Sequence, residues 1–183
     1  MLARLARLRA ELDVDLWALD ARDAEVREIL ARWGEAGLFR AELVLVAVNL
    51  HGWYTALETL LERIARLLDD AVPEGPTWHA DLLGQAAVEL PTLRPAAIPT
   101  AALQDLHSLR RFRHFFRNAY VLDLDHALVR AQADILARSH PSVRAREGSR
   151  SRVGFANDRP CESTRYLLYE IALALEPPTV VVR

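Results

Sequence analysis

The chain has 183 residues, 51% of them hydrophobic, with seven glycines and a net charge of −2. That is enough apolar material for one well-filled core, with few strand or turn signals. The charge excludes a global basic field, so an acidic or nucleic-acid partner has to be held by a local patch. All the cationic side chains are arginine, and the single cysteine, Cys161, rules out an intrachain disulfide and a thiolate-cluster zinc site.

The N-terminus carries charge throughout and lacks a signal peptide's apolar stretch, and no apolar run reaches bilayer length, which fits a cytoplasmic protein. Leu2, Leu5, Leu8, Leu12, Leu16 and Leu19 recur at helical spacing, with a break or second start expected at Asp13 and Asp15. Val26, Ile29, Leu30 and Trp33 continue the pattern as far as Gly34 and Gly37. Residues 38 to 71 contain no proline, and Trp53, Leu57, Leu60, Leu61, Ile64, Leu67 and Leu68 form one stripe. They predict a long central helix of roughly 50 Å.

Pro73, Gly75 and Pro76 end that helix, and Thr77 is placed to cap a shorter one from Trp78 to about Leu90. Pro91 to Pro99, with three prolines, predicts a loop. Thr100 then caps a helix reaching about Tyr120 or Val121, and Asp123 and Asp125 offer caps for a last helix ending near His140 and Pro141. The expected organisation is an all-α bundle over residues 1–140, followed by a low-pattern segment, 141–183, rich in arginine and serine with one short helix.

Residues 110–120 carry four arginines, a histidine and a tyrosine. On a helical wheel Leu109, Phe112, Phe115, Phe116, Ala119 and Tyr120 share one arc, while Arg110, Arg111, Arg113, His114, Arg117 and Asn118 fill the remainder. Arg113 is expected at the exposed edge of the apolar arc, beside Tyr120. A face of this kind suits RNA, because guanidinium groups grip phosphate oxygens through a planar fork and a histidine moves protons near neutral pH. A solvated face or a protein-docking surface has the same spacing.

Other chemistries find little support. No glycine-rich phosphate loop or nucleophile elbow occurs, which argues against an NTPase, a dinucleotide enzyme or an α/β-hydrolase. His51 reads as a partly buried histidine satisfied by a neighbour. His79 and Asp81 lack the pairing of a metal site, and His107, His114 and His126 have no carboxylate arranged to join them, so neither a metal nor a cofactor is expected.

Arg113-His114-Phe115-Phe116-Arg117-Asn118-Ala119-Tyr120 resembles the signature of the HepT-like toxins of the HEPN superfamily: an arginine, a polar residue, three more residues, a histidine, any residue and a tyrosine. Arg113, His114 and Tyr120 fall on the arginine, the polar residue and the tyrosine, and Asn118 stands where the histidine belongs. Residues 50–58, the Trp78-His79 pair and the run from Leu109 into Asp125 extend the likeness over about residues 38–130.

The resemblance implies a HEPN-type antiparallel bundle that pairs as a homodimer, and a metal-independent RNase acting as the toxin of a toxin–antitoxin pair. Arg113, His114 and Asn118 would then be the catalytic positions, Arg110 and Arg117 would bind RNA phosphate, and a minimal nucleotidyltransferase antitoxin would attach AMP to Tyr120. An amide does not exchange protons near pH 7, so activity is expected to be weak or degenerate unless His114 substitutes. The alternative is a non-enzymatic helical module that binds RNA or protein.

Overall fold

A computed structural model describes residues 2–34, 38–91, 93–118 and 124–144, with side chains described from residue 6. Five helices, α1 (Leu2–Leu30), α2 (Arg40–Ile64), α3 (Trp78–Ala86), α4 (Leu103–Asn118) and α5 (His126–Arg144), account for most of them, and no strand occurs among the described residues. The expected all-α, HEPN-type antiparallel bundle is what the described residues form. Tyr120, Asp123 and the segment from residue 145 onward lie outside the described residues.

The central helix α2 is apolar on nearly every side except one strip, which is how a helix surrounded by others reads. It runs antiparallel to α1: Arg32 lies 3.8 Å from Glu42 at one end, and Arg63 lies 2.7 Å from Glu11 at the other. α4 and α5 complete the layer around it, crossing antiparallel through Ser108–Gln132 and Asp105–Arg138. Leu19, Val26, Leu50, Trp53, Leu57, Leu106, Leu109, Val129 and Leu136 fill the shared core.

Several boundaries differ from the sequence expectation, each for a tertiary reason. α1 does not break at Asp13 and Asp15, because Asp15 turns inward onto α2, where its carboxylate lies 2.8 Å from Arg63 Nε. Burial raises the Asp15 pKa, against the pull of Arg63. α2 ends in a π-helical turn, Ala65–Asp69, closed by Asp70 in the left-handed conformation (φ 54°), before the prolines are reached.

α3 stops at Ala86 rather than near Leu90, because the Ala86 carbonyl accepts from the Ala97 amide (2.7 Å). Thr77 precedes it as expected but spends its hydroxyl on Asp81 (2.7 Å) rather than on a backbone amide. A short 3₁₀ turn, Thr100–Ala102, opens the path into α4. Asp125 does cap α5, accepting from the Ala127 amide at 2.7 Å.

Pro141 sits inside α5 instead of ending it. A proline there cannot donate to the carbonyl four residues earlier, that of Ala137. Arg27 of α1 reaches that carbonyl (3.4 Å), which supplies the missing donor from a neighbouring helix. One residue earlier, buried His140 accepts from the Trp53 indole (3.2 Å) and points Nε2 toward Asp20 (3.3 Å) and Asp23 (3.7 Å). Burial depresses its pKa more than the two carboxylates raise it.

The proline-rich stretch after α3 is pinned rather than loose. Arg94 is buried and grips Asp69 at the end of the π turn with Nε and NH2, both at 2.5 Å, while NH1 and NH2 also donate to the Val88 and Gln85 carbonyls. Removing one partner of such a pair strands the other in a low-dielectric interior. Arg94→Ala is therefore expected to cost about 3–5 kcal/mol in urea unfolding. Arg138→Ala, which breaks the exposed pair with Asp105, should cost about 1 kcal/mol or less; equal costs for the two would contradict the assignment.

Candidate nucleic-acid interface on helix α4

α4 forms because Leu106, Leu109 and Phe112 recur on one face and are buried against α2 and α5. Phe116 continues that face, partly buried over His51 of α2 (ring centroids 5.6 Å). Phe115, placed with them by the wheel, is instead 48% exposed, since its direction falls beyond the edge of the bundle. Ala119 and Tyr120, the remainder of the predicted arc, lie outside the described residues.

Arg113 departs most from expectation. It was expected at the exposed edge, yet its side chain is only 12% exposed and turns inward over the ring of Tyr54 (6.0 Å). NH2 lies 2.9 Å from Glu58 Oε2, and Nε donates to Thr55 Oγ1 at 3.3 Å. The cause is Glu58, a carboxylate buried in the middle of α2 that requires a cation. Arg113 supplies it from one side.

From the other side His79 of α3 places Nδ1 2.5 Å from Glu58 Oε1, with Trp78 stacked on its ring at 3.7 Å. Three helices thus meet on one carboxylate. Burial and the nearby Glu58 charge push the Tyr54 hydroxyl well above the usual phenol range, so Tyr54 is a neutral floor beneath the guanidinium. Its pKa is relieved only partly by Arg110 and Arg113.

Of the other predicted residues, His114, Arg117 and Asn118 face outward. His114 and Asn118 are exposed and meet one turn apart, with Asn118 Nδ2 donating to the His114 carbonyl (2.7 Å) and lying 3.4 Å from His114 Nε2. Arg111 and Arg117 are exposed. Arg110 is half-buried, and its Nε is enclosed without a hydrogen-bond partner. The structure therefore brings His114 and Asn118 together and directs Arg113 away from them into the bundle.

His51 is partly buried and satisfied on one side only: its ring hydrogen-bonds the Arg113 backbone, while Nδ1 is buried without a partner. Burial first, then the charges of Arg113, Arg117 and Arg22, hold its pKa below the ordinary histidine value, against the hydrogen bond it donates to the Arg113 backbone. His107, earlier on α4, is lowered by burial and by Arg110 and Arg111. Burial first, and then the cationic charge along one side of α4, lowers the pKa of both histidines.

Glu58, Thr55, Tyr54 and His79 lie in segments that carry the resemblance, but the sequence reading assigned them no role in the site. Glu58 carried a signal, since it falls between Leu57 and Leu61 in the apolar pattern of α2, where a charge has to find a partner. No group of three or more His, Cys, Asp or Glu side chains with metal-binding geometry occurs among the described residues. The His79–Glu58 pair already holds a guanidinium, which would repel a metal ion.

Chemically, the face can bind phosphate oxygens through Arg110, Arg111 and Arg117, and His114 offers an imidazole at the surface. Asn118 contributes hydrogen bonds only. A family profile described as "HepT-like protein" matches residues 45–146, which run from the first turns of α2 through α5. No curated protein and no solved structure matches the chain.

Breaking the Glu58 assembly should be visible in stability. Arg113→Ala leaves Glu58 buried with His79 alone and is expected to cost about 3 kcal/mol, the low end for a broken buried pair. Arg117→Ala, four residues along on the exposed face, should change stability by about 0.5 kcal/mol or less. A negligible cost for Arg113→Ala in chemical unfolding would show that the side chain is not held as described.

Proposed function

Since the chain belongs to the HepT-like family of the HEPN superfamily, we propose that it is the toxin-side component of a toxin–antitoxin pair, acting on RNA through the cationic face of α4. The observation that carries this reading is the contrast along one helix. Arg113 is held rigidly by the buried Glu58, while Arg110, Arg111, Arg117 and His114 remain directed to one outward side. The buried pair fixes the helix, and the guanidinium groups left unneutralised on its outward side are available for phosphate.

The reaction proposed is metal-independent cleavage in which an imidazole moves the proton of the attacking 2′-hydroxyl or of the leaving group. Arg117 faces the phosphate, with Arg110 and Arg111 extending the contact, while Arg113, paired with Glu58, holds in place the helix that carries them. His114 is the exposed imidazole available for proton transfer, and Asn118, bonded to its own helix, positions His114 or RNA. A general acid or base contributes about 10²–10⁴ in rate, so the native chain is proposed to be a weak or degenerate RNase.

The remaining parts of the proposal follow family likeness: a cytoplasmic homodimer with no cofactor, regulated by a minimal nucleotidyltransferase that attaches AMP to Tyr120. Among the described residues no helix is long and apolar enough to cross a membrane. The second reading is a non-enzymatic RNA- or protein-binding module. What favours it is that Asn118 replaces the motif histidine and donates to its own helix (2.7 Å).

Cleavage of total RNA in EDTA separates the two. The native protein should cleave slowly, and Asn118→His should accelerate cleavage by about 10²-fold or more. Both remaining silent while RNA is still bound would leave only the binding module. In a parallel incubation with the nucleotidyltransferase and labelled ATP, native protein should acquire AMP and Tyr120→Phe should not; label on that variant would reassign the acceptor.

A further inference from the structure

Arg22, on α1 and outside the matched residues 45–146, is a cation without a carboxylate partner among the described residues. Its side chain lies flat across α2 at Gly52: a Cβ built there would fall 2.5 Å from Nε, 2.8 Å from Cζ and 2.9 Å from Cδ. Its one hydrogen bond goes to a neutral amide, Oδ1 of Asn49, at 3.1 Å. Alanine is the better helix former at such a position, so glycine here gives up helix stability and gains the passage of an arginine.

Gly52 directly follows His51 in the chain. The imidazole next to Gly52 packs on Phe116 and keeps a buried Nδ1 without a partner. Arg22 from α1 and Arg113 and Arg117 from α4 are all close enough to oppose its protonation. Of these three, Arg113 alone is neutralised, by Glu58. Elsewhere in the bundle arginines are led to carboxylates, as Arg27 is to Asp23 and Arg63 to Asp15. Convergence of like charges without a counter-ion costs energy that an incoming anion returns.

We infer that Arg22, laid across Gly52, forms with His51 and Arg117 a site for one phosphate group, supplied by an RNA backbone continuing from the α4 face onto α1 and α2. The RNA source rests on the function proposed above. The two arginines supply charge and forked donors, and the neighbouring His51, whose Nδ1 is buried, senses the anion through its charge. The sequence hides this site because Arg22 is remote from the α4 motif and reaches it only over a residue with no side chain.

The test measures binding of a single-stranded RNA oligonucleotide between 50 and 200 mM salt. Arg22→Gln and Arg117→Gln should each reduce the slope of log affinity against log salt by about 0.7, the share of one phosphate contact. Gly52→Ala should give the same loss as Arg22→Gln while staying folded, because the new methyl displaces only the flexible Arg22 side chain. An unchanged slope for Arg22→Gln, with Arg117→Gln reduced, overturns the site and leaves the RNA-binding face standing.

The His51 ring, followed by NMR, reads the site without RNA. Inorganic phosphate should raise its pKa in the native protein, and the rise should be lost in Arg22→Gln. If the native protein binds no RNA, the function proposed above fails, and phosphate decides this site separately. A His51 titration that phosphate does not move overturns it.

Discussion

A carboxylate buried in the central helix sets the terms for the rest of the molecule. Glu58 is 5% exposed, and an isolated charge at that depth would shed its ionisation or destabilise the fold. Here it is met by His79 from α3 and Arg113 from α4. Apolar packing of Leu82, Leu83, Leu106 and Leu109 is tolerant of rotation and sliding, whereas a hydrogen-bonded ion pair is directional. Glu58 thereby fixes how α3 and α4 sit on α2, and with them the direction of every side chain on the α4 face.

This constraint separates the arginines into two populations. Arg27, Arg63, Arg94, Arg113, Arg138 and Arg144 are spent on carboxylates and tie helices or loops together. Arg22, Arg110, Arg111 and Arg117 pair with no carboxylate among the described residues, and they gather around α4. A chain with net charge −2 thus acquires a local cationic field without a basic composition. Burial, and after it this field, lowers the pKa of His51 and His107.

Helix content and the bundle were legible because 3.6-residue periodicity survives in α1, α2, α4 and α5. Where the reading failed, a distant partner had overridden a local rule. Asp15 does not break α1 because Arg63 meets it, and Pro141 does not end α5 because Arg27 serves the carbonyl that the proline leaves unpaired. α3 is cut short by a backbone contact from Ala97. No local pattern contains such information.

The cationic face of α4 was legible from residue type and spacing, and family likeness pointed to the same segment. The inward turn of Arg113 was not, since a helical wheel sorts arginine to the outside and knows nothing of Glu58. Arg22 was less legible still, because its approach depends on an absent side chain at Gly52.

A double-mutant cycle between Glu58→Gln and Arg113→Met, followed by urea unfolding, tests most directly the claim that this pair orders the bundle. Direct contact inside the protein predicts a coupling energy above about 1.5 kcal/mol. Additivity of the two single costs within about 0.5 kcal/mol would contradict it, placing Arg113 in solvent and leaving the orientation of α4 to apolar packing alone.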